Sequence, residues 1–491
     1  MMLSSCKGAA MGYTPSPAHT TATATATATT SATASGPGGS SPAPAECGYE
    51  SPEDTSNNNN NSSPPRDSRH AALIRPNGHL PHDDEPYANP YSLNGVLSKA
   101  SRMTRGGGGK VGIRDRIACY RWTWFTMTMA TGGVANVLYS IPYRSPWLTG
   151  IGLTFFFLNI CLFAINCLLI TLRFHYRSGS FLNSFTDQVE SLFIPAVVVS
   201  LATIFITICQ YGVPHVGPWL LGVMEAMFWI YISASVGASA GMYLTLWSTQ
   251  VFPIHTMTPV WVFPAYPLLL TAPFGANLIA AASSSSYSGE GEGEGLRSIN
   301  AIAIAVASVT GQGTGFLISF MICAAFLYRL MTQKLPRDAQ RPGVFISIGP
   351  SAFTAAGLVQ LGNQTQDIFP PNFMGTQHAV YILKLLAYMT GLWLWGLSIW
   401  FFLVSVGSLW KYLRPENRAK MHFQMTWFSF VFPNTALVTA TEQLGRAFEC
   451  QGLEIFGSVL AAIIVIVWIL VFTRMLHCLW KRELLWPKDE D

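Results

Sequence analysis

Two ionisable side chains interrupt long apolar runs and are the first candidates for chemistry. Glu225 sits in Leu221-Gly222-Val223-Met224-Glu225-Ala226-Met227-Phe228-Trp229, and Lys384 in Tyr381-Ile382-Leu383-Lys384-Leu385-Leu386. A charge in hydrocarbon is expensive and marks a path or a buried pair. Glu225 is suited to carry a proton and Lys384 to attract a dicarboxylate anion. The structural alternatives are that Lys384 snorkels to the interface or that the two residues pair. Milder polar groups accompany them: Thr123, Thr126, Thr128, Thr131, Ser347, Ser351, Thr354, Ser429, Asn434 and Thr435. Hydroxyls and amides of this kind can bind an anion weakly enough to release it, although ordinary hydrogen bonding between helices explains any one of them equally well.

The motifs of hydrolytic and nucleotide-driven chemistry are missing. The chain has no HExxH, P-loop, dinucleotide-binding glycine fingerprint or CxxC pair. His175, His215, His255, His378, His422 and His477 fall at or near loop ends without ligand spacing. An enzyme is disfavoured, and no metal or cofactor is expected.

The elements that must position these residues are membrane helices. Only 11% of the 491 residues are charged while half are apolar, too little charge to cover a soluble surface of this size. The net charge of +4 is too small to indicate a nucleic-acid partner. Cys161, Cys167, Cys209 and Cys323 lie in apolar runs and read as buried thiols. Residues 1–113 form a low-complexity tail of alternating Thr and Ala, an Asn homopolymer and Ser/Pro/Gly filler, expected to be disordered. A membrane domain over 114–480 and a short C-terminal tail over 481–491 follow. Ten apolar stretches are long enough to cross a bilayer: 119–141, 147–172, 190–211, 219–247, 257–282, 299–328, 343–362, 376–410, 425–444 and 454–476. With ten crossings and a cytoplasmic N-terminus, 19 flanking Lys and Arg fall inside and 3 outside. That segregation puts both termini in the cytoplasm. The Gly-Glu insert Ser283–Gly295 then lies outside, as does the sequon Asn363-Gln364-Thr365, a glycosylation candidate.

Proline is distributed unevenly. Pro195, then Pro259, Pro264, Pro267 and Pro273, then Pro350 and Pro433 fall in the third, fifth, seventh and ninth stretches; the first carries Gly132-Gly133, and the even stretches have no interior proline. Proline frees a backbone carbonyl that hydrocarbon cannot satisfy. Odd helices are therefore expected to be inner and kinked, and even ones outer and straight. The fold class expected is all-α integral membrane, ten helices as five hairpins around a central pore.

Several segments resemble the tellurite-resistance/dicarboxylate transporter family. Trp124-Phe125-Thr126-Met127-Thr128-Met129-Ala130-Thr131-Gly132-Gly133 and Met257-Thr258-Pro259-Val260-Trp261-Val262-Phe263-Pro264-Ala265-Tyr266-Pro267 carry the resemblance. Arg341-Pro342-Gly343-Val344-Phe345-Ile346-Ser347-Ile348-Gly349-Pro350, with Phe353-Thr354, Glu190-Ser191-Leu192-Phe193 and the segment from Glu225 to Tyr231, resemble its fungal malic acid permease branch. The similarity spans about 115–480. It implies the five-hairpin fold, a homotrimer, and relatives among slow-type anion channels and sulfite efflux pumps. It also implies an aromatic gate on the ninth helix. In Trp427-Phe428-Ser429-Phe430-Val431-Phe432-Pro433 the best match is Phe432, with Phe428 one turn away as the alternative. The acidic Gly-Glu insert departs from the fungal pattern. The function implied is plasma-membrane transport of malate and related C4-dicarboxylates, with proton coupling left open. Sulfite or inorganic anion efflux is the alternative within the class, and a receptor or scaffold the alternative outside it.

Overall fold

A computed structural model of the chain describes residues 112–285, 299–418 and 421–486. The low-complexity tail up to residue 111 and most of the Gly-Glu insert lie outside the described residues, as does the end of the C-terminal tail. All regular structure among the described residues is helical. Ten long helices are labelled here α1 (Phe125–Ser140), α2 (Pro146–Tyr176), α3 (Ala196–Thr207), α4 (Pro218–Thr249), α5 (Thr271–Ser285), α6 (Ala301–Gln333), α7 (Gly349–Asn363), α8 (Ala379–Ser408), α9 (Phe432–Ala447) and α10 (Gln451–Trp480).

Among the described residues seven continuous helical segments are long and apolar enough to cross a membrane, and an eighth results if the bent pair Pro259–Ala265 and Leu268–Ser284 counts as one span. The chain is therefore a multi-pass membrane protein. The first and ninth stretches form helices of 16 residues, each entered through a 3₁₀ turn, Trp122–Trp124 or Met425–Phe430.

Burial divides the helices into two sets. In α2, α4, α6, α8 and α10 only 22–28% of the apolar window is buried. Their large side chains, such as Phe157, Ile230, Leu317, Trp393 and Ile466, point outward, as a lipid-facing surface requires. The segments Ser191–Val216 and Asp338–Asn363 are instead 67% and 89% buried, and 14 of the 16 residues are buried in both α1 and α9. The proline-bearing stretches are thus the interior ones. The five interior helices pack in chain order, α1 on α3, α3 on α5, α5 on α7, α7 on α9, and α9 returns to α1. Each outer helix packs on the interior helix before it.

Small residues permit this closeness. A Cβ on Gly132 would strike Thr203 and Asn159, and one on Gly133 would lie 2.6 Å from the Thr435 hydroxyl, so α1 meets α3 and α9 backbone to side chain. Cys209 and Cys323 are buried as the apolar runs predict; Cys161 instead faces outward from α2, because its run belongs to a lipid-exposed helix.

Candidate functional site

The prolines do not sit inside long α-helices. Pro195 is the N-cap of α3, while Pro350 and Pro433 occupy the first turns of α7 and α9. Pro264 lies within the 3₁₀ segment Pro259–Ala265, and Pro267 caps the next 3₁₀ turn, where the chain bends by 69°. The expected mid-helix kinks are thus replaced by broken entries. In the first turn a missing N–H costs little, and 3₁₀ geometry takes up the change of direction. Carbonyls released by these entries are satisfied by tyrosines. Tyr231 of α4 donates to Pro267 O (2.5 Å), Tyr243 of α4 to Trp261 O (3.1 Å) and Tyr266 to Ile346 O (2.7 Å). Gln312 of α6 performs the complementary task, accepting from the Ala272 N–H at the start of α5 (3.2 Å) and donating to the Thr354 hydroxyl (2.9 Å).

Aromatic rings fill the space between the broken entries. Phe432, 3% exposed, opens α9 and packs on Phe353 (centroids 5.1 Å) and Tyr266 (6.0 Å). Tyr266 stacks in turn on Phe263 at 5.2 Å. Beside them a cavity of about 10 Å³ is bounded by Thr126, Met129, Ile346, Phe428, Ser429 and Phe432. It offers space for about one water molecule. Phe428 and Phe432 therefore share one layer, with Phe428 fully buried beneath it. The starts of α1 and α9 line this cavity, with the entry segments that lead into α5 and α7. Of the helices proper, only α1 and α9 bring their first turns to it; the other lining residues belong to the 3₁₀ entries, and its walls are almost entirely apolar.

A polar layer lies further along the same helices, toward the C-terminal ends of α1, α3, α7 and α9 and at the middle of α5. Gln210, on a π-turn (Ile208–Gly212) that continues α3, donates to Asn136 of α1 (2.6 Å) and to Asn277 of α5 (2.9 Å). Gln364, just past α7, donates to Ala276 O of α5 (3.1 Å), and its neighbour Asn363 donates to Gln443 of α9 (3.4 Å). Glu442, fully buried beside Gln443, bonds the Ser140 hydroxyl of α1, and Arg446 donates to the Ser140 carbonyl. The layer passes through all five interior helices. Sequence reasoning missed it, although the signal was present: each odd stretch carries a carboxamide near its C-terminal end.

The other candidates are dispersed. The Thr131 hydroxyl donates to Met127 O and accepts from Trp468 Nε1 of α10 (3.1 Å). Ser351 accepts from Ser398 of α8 (2.8 Å). Asn434, 5% exposed, donates to Phe430 O, and its Oδ1 has no partner. Glu225 and Lys384 lie on the outer helices. The Glu225 carboxylate accepts from the Asn300 N–H at the start of α6 (3.2 Å), and the Lys384 ammonium lies 5.7 Å from the centre of the Tyr388 ring. Asn363 is half-buried and accepts from the Tyr388 hydroxyl (2.5 Å) while donating to Gln443, so a glycan there would have to displace both bonds.

An interior set of five broken helices, wrapped by lipid-facing helices and filled with aromatic rings, is the architecture of a multi-pass membrane channel or transporter. Comparison with known proteins gives the family. Residues 120–476 match the SLAC1 family, described as voltage-dependent anion channel, and the chain belongs to that family. A malic acid transport protein of Schizosaccharomyces pombe is 28% identical over 78% of this chain and 83% of its own length. A putative malic acid transport protein of the same yeast is 28% identical over 78% and 85%. A sulfite efflux pump of Trichophyton rubrum is 25% identical over 74% and 91%.

Proposed function

We propose that the protein carries malate and related C4-dicarboxylates across the plasma membrane, along a path between α1, α3, α5, α7 and α9. In this reading the chain crosses the bilayer ten times as five hairpins, with both termini cytoplasmic, and assembles as a homotrimer. The closed ring of five interior helices, with broken entries packed around Phe432, carries the proposal, because backbone broken at membrane depth is tolerated where it is buried in protein or lines a path. Similarity to two malic acid transport proteins supports the choice of substrate. The orientation is supported by where basic residues gather: Arg341 donates to Ser408 O at the end of α8 and Lys411 pairs with Asp338, whereas Arg446 works at the opposite end, on α1. Phe432 blocks the path in the conformation described, and substrate passes when the ring turns aside.

The sulfite efflux relative favours a second reading, efflux of an inorganic anion. Purified protein in proteoliposomes, given labelled malate or sulfite with pH and voltage set separately, decides between them. Saturable malate flux that exceeds sulfite flux is expected. Sulfite flux without malate flux would refute the proposal, and a dependence of malate flux on the proton gradient at fixed voltage would establish proton coupling.

A further inference from the structure

The carboxamide layer across the interior helices is not a finished structural network. Networks that only hold helices together satisfy both ends of each buried amide. Here the Oε1 atoms of Gln210 and Gln364 are buried without a hydrogen-bond partner, while their Nε2 groups are engaged with neighbouring helices. Gln210, 5% exposed, occupies a π-turn, a local irregularity that recurs at functional sites. The layer also runs across all five interior helices in order, through Asn136, Gln210, Asn277, Gln364 and Gln443, with Ser140 and Glu442 closing it.

We propose that this girdle recognises a 2-hydroxy-dicarboxylate, an inference that rests on the malate reading above. Each carboxamide offers two N–H donors and one carbonyl acceptor and bears no charge. A carboxylate entering the girdle replaces amide–amide bonds with charge-assisted ones, which are stronger. The orphaned oxygens of Gln210 and Gln364 cannot bond a carboxylate, but they can accept the proton of a hydroxyl. Malate presents both complements, whereas succinate presents only the first. A site built to bond a substrate hydroxyl discriminates against the analogue that lacks it. Glu442 adds a carboxylate to the girdle, with Arg446 beside it on the Ser140 carbonyl; the carboxamides that would meet the substrate carry no charge, which keeps the hold weak enough for release.

The test measures concentration-dependent uptake of malate and succinate by wild-type, Gln210→Met and Gln364→Met protein in proteoliposomes, each preparation first checked for monodispersity. Wild type should have a lower KM for malate than for succinate. Either variant should raise the malate KM about tenfold, the loss of one bond to a charged or hydroxyl group, and draw the malate-to-succinate ratio toward one. Gln364 is half-buried and its replacement is tolerated more readily, so it decides the matter should Gln210→Met fail to fold. A malate KM within twofold of wild type in a folded variant overturns the girdle proposal and leaves malate transport standing. An equal fall in malate and succinate uptake, or a wild type that does not distinguish them, also overturns it. A wild type that carries no malate ends the functional reading itself, a result separate from the other three.

Discussion

Replacing Phe432 with Ala tests the proposed block directly. The ring is 3% exposed and held between Phe353 and Tyr266, with centroids at 5.1 and 6.0 Å. A ring facing an open cavity would be removed cheaply, but the space beside this one is only about 10 Å³. Truncating a packed phenylalanine costs about 3–5 kcal/mol, and the two ring contacts supply about 0.5–1.5 kcal/mol each. The loss falls at the low end of that range, because Tyr266 stays anchored on Ile346 O and keeps the surrounding backbone in place. Phe432→Ala is therefore expected to insert and purify with a lowered melting temperature. The vacated volume should join the small cavity and admit hydrated anions, so malate and chloride fluxes rise and the ratio between them falls. Melting in detergent and flux in proteoliposomes, measured on one preparation, separate the two effects. A folded variant with lowered stability but unchanged flux would refute the block at Phe432 and shift attention to Phe428.

Three other substitutions and one deletion probe further parts of the argument. Arg173 and Glu190 form a buried bidentate pair, 3% and 1% exposed; Arg173→Met alone should cost about 3–5 kcal/mol, read as a fall in melting temperature that Arg173→Met/Glu190→Leu largely reverses. Gly349→Ala would drive a methyl into the buried Tyr266 hydroxyl, so lower melting temperature and higher anion leak are expected, and an unchanged leak would separate Tyr266 from the block. Lys384 lies on an outer helix over Tyr388, so Lys384→Ala should leave the malate-to-chloride flux ratio within twofold, and a selective loss of malate flux would return the lysine to the path. Deleting residues 1–100, which carry no apolar face in sequence, should leave flux per inserted molecule unchanged.

Proline placement made the interior helices legible in the sequence, because a backbone group freed in hydrocarbon needs a protein partner and outward-facing helices cannot provide one. The same reasoning misjudged the local geometry. Nothing in the sequence says that Pro350 and Pro433 occupy first turns rather than helix centres, since that depends on the 3₁₀ segments before them. Glu225 and Lys384 drew attention because charge is conspicuous in an apolar run, although both fall in even stretches expected to be outer, and the structure places them there, one capping α6 and the other over a tyrosine. The carboxamides were less conspicuous. Their register across five helices appears only once Gln210 is seen bonding Asn136 and Asn277 together.

The neutral groups around Phe432 suit the passage of a doubly charged anion. An ammonium 4 Å from one carboxylate contributes about 4 kcal/mol at an effective dielectric near 20, which would slow release by roughly a thousandfold. A helix N-terminus contributes about 0.3–1 kcal/mol, so the starts of α1 and α9 beside the cavity favour an anion without trapping it. The broken entries serve this purpose as well as accommodating proline, because they start α7 and α9 beside Phe432 rather than at the membrane surface. Fixed positive charge is found where it does not obstruct flow: Arg173 is neutralised by Glu190, and Arg446 is engaged with the Ser140 carbonyl beside Glu442.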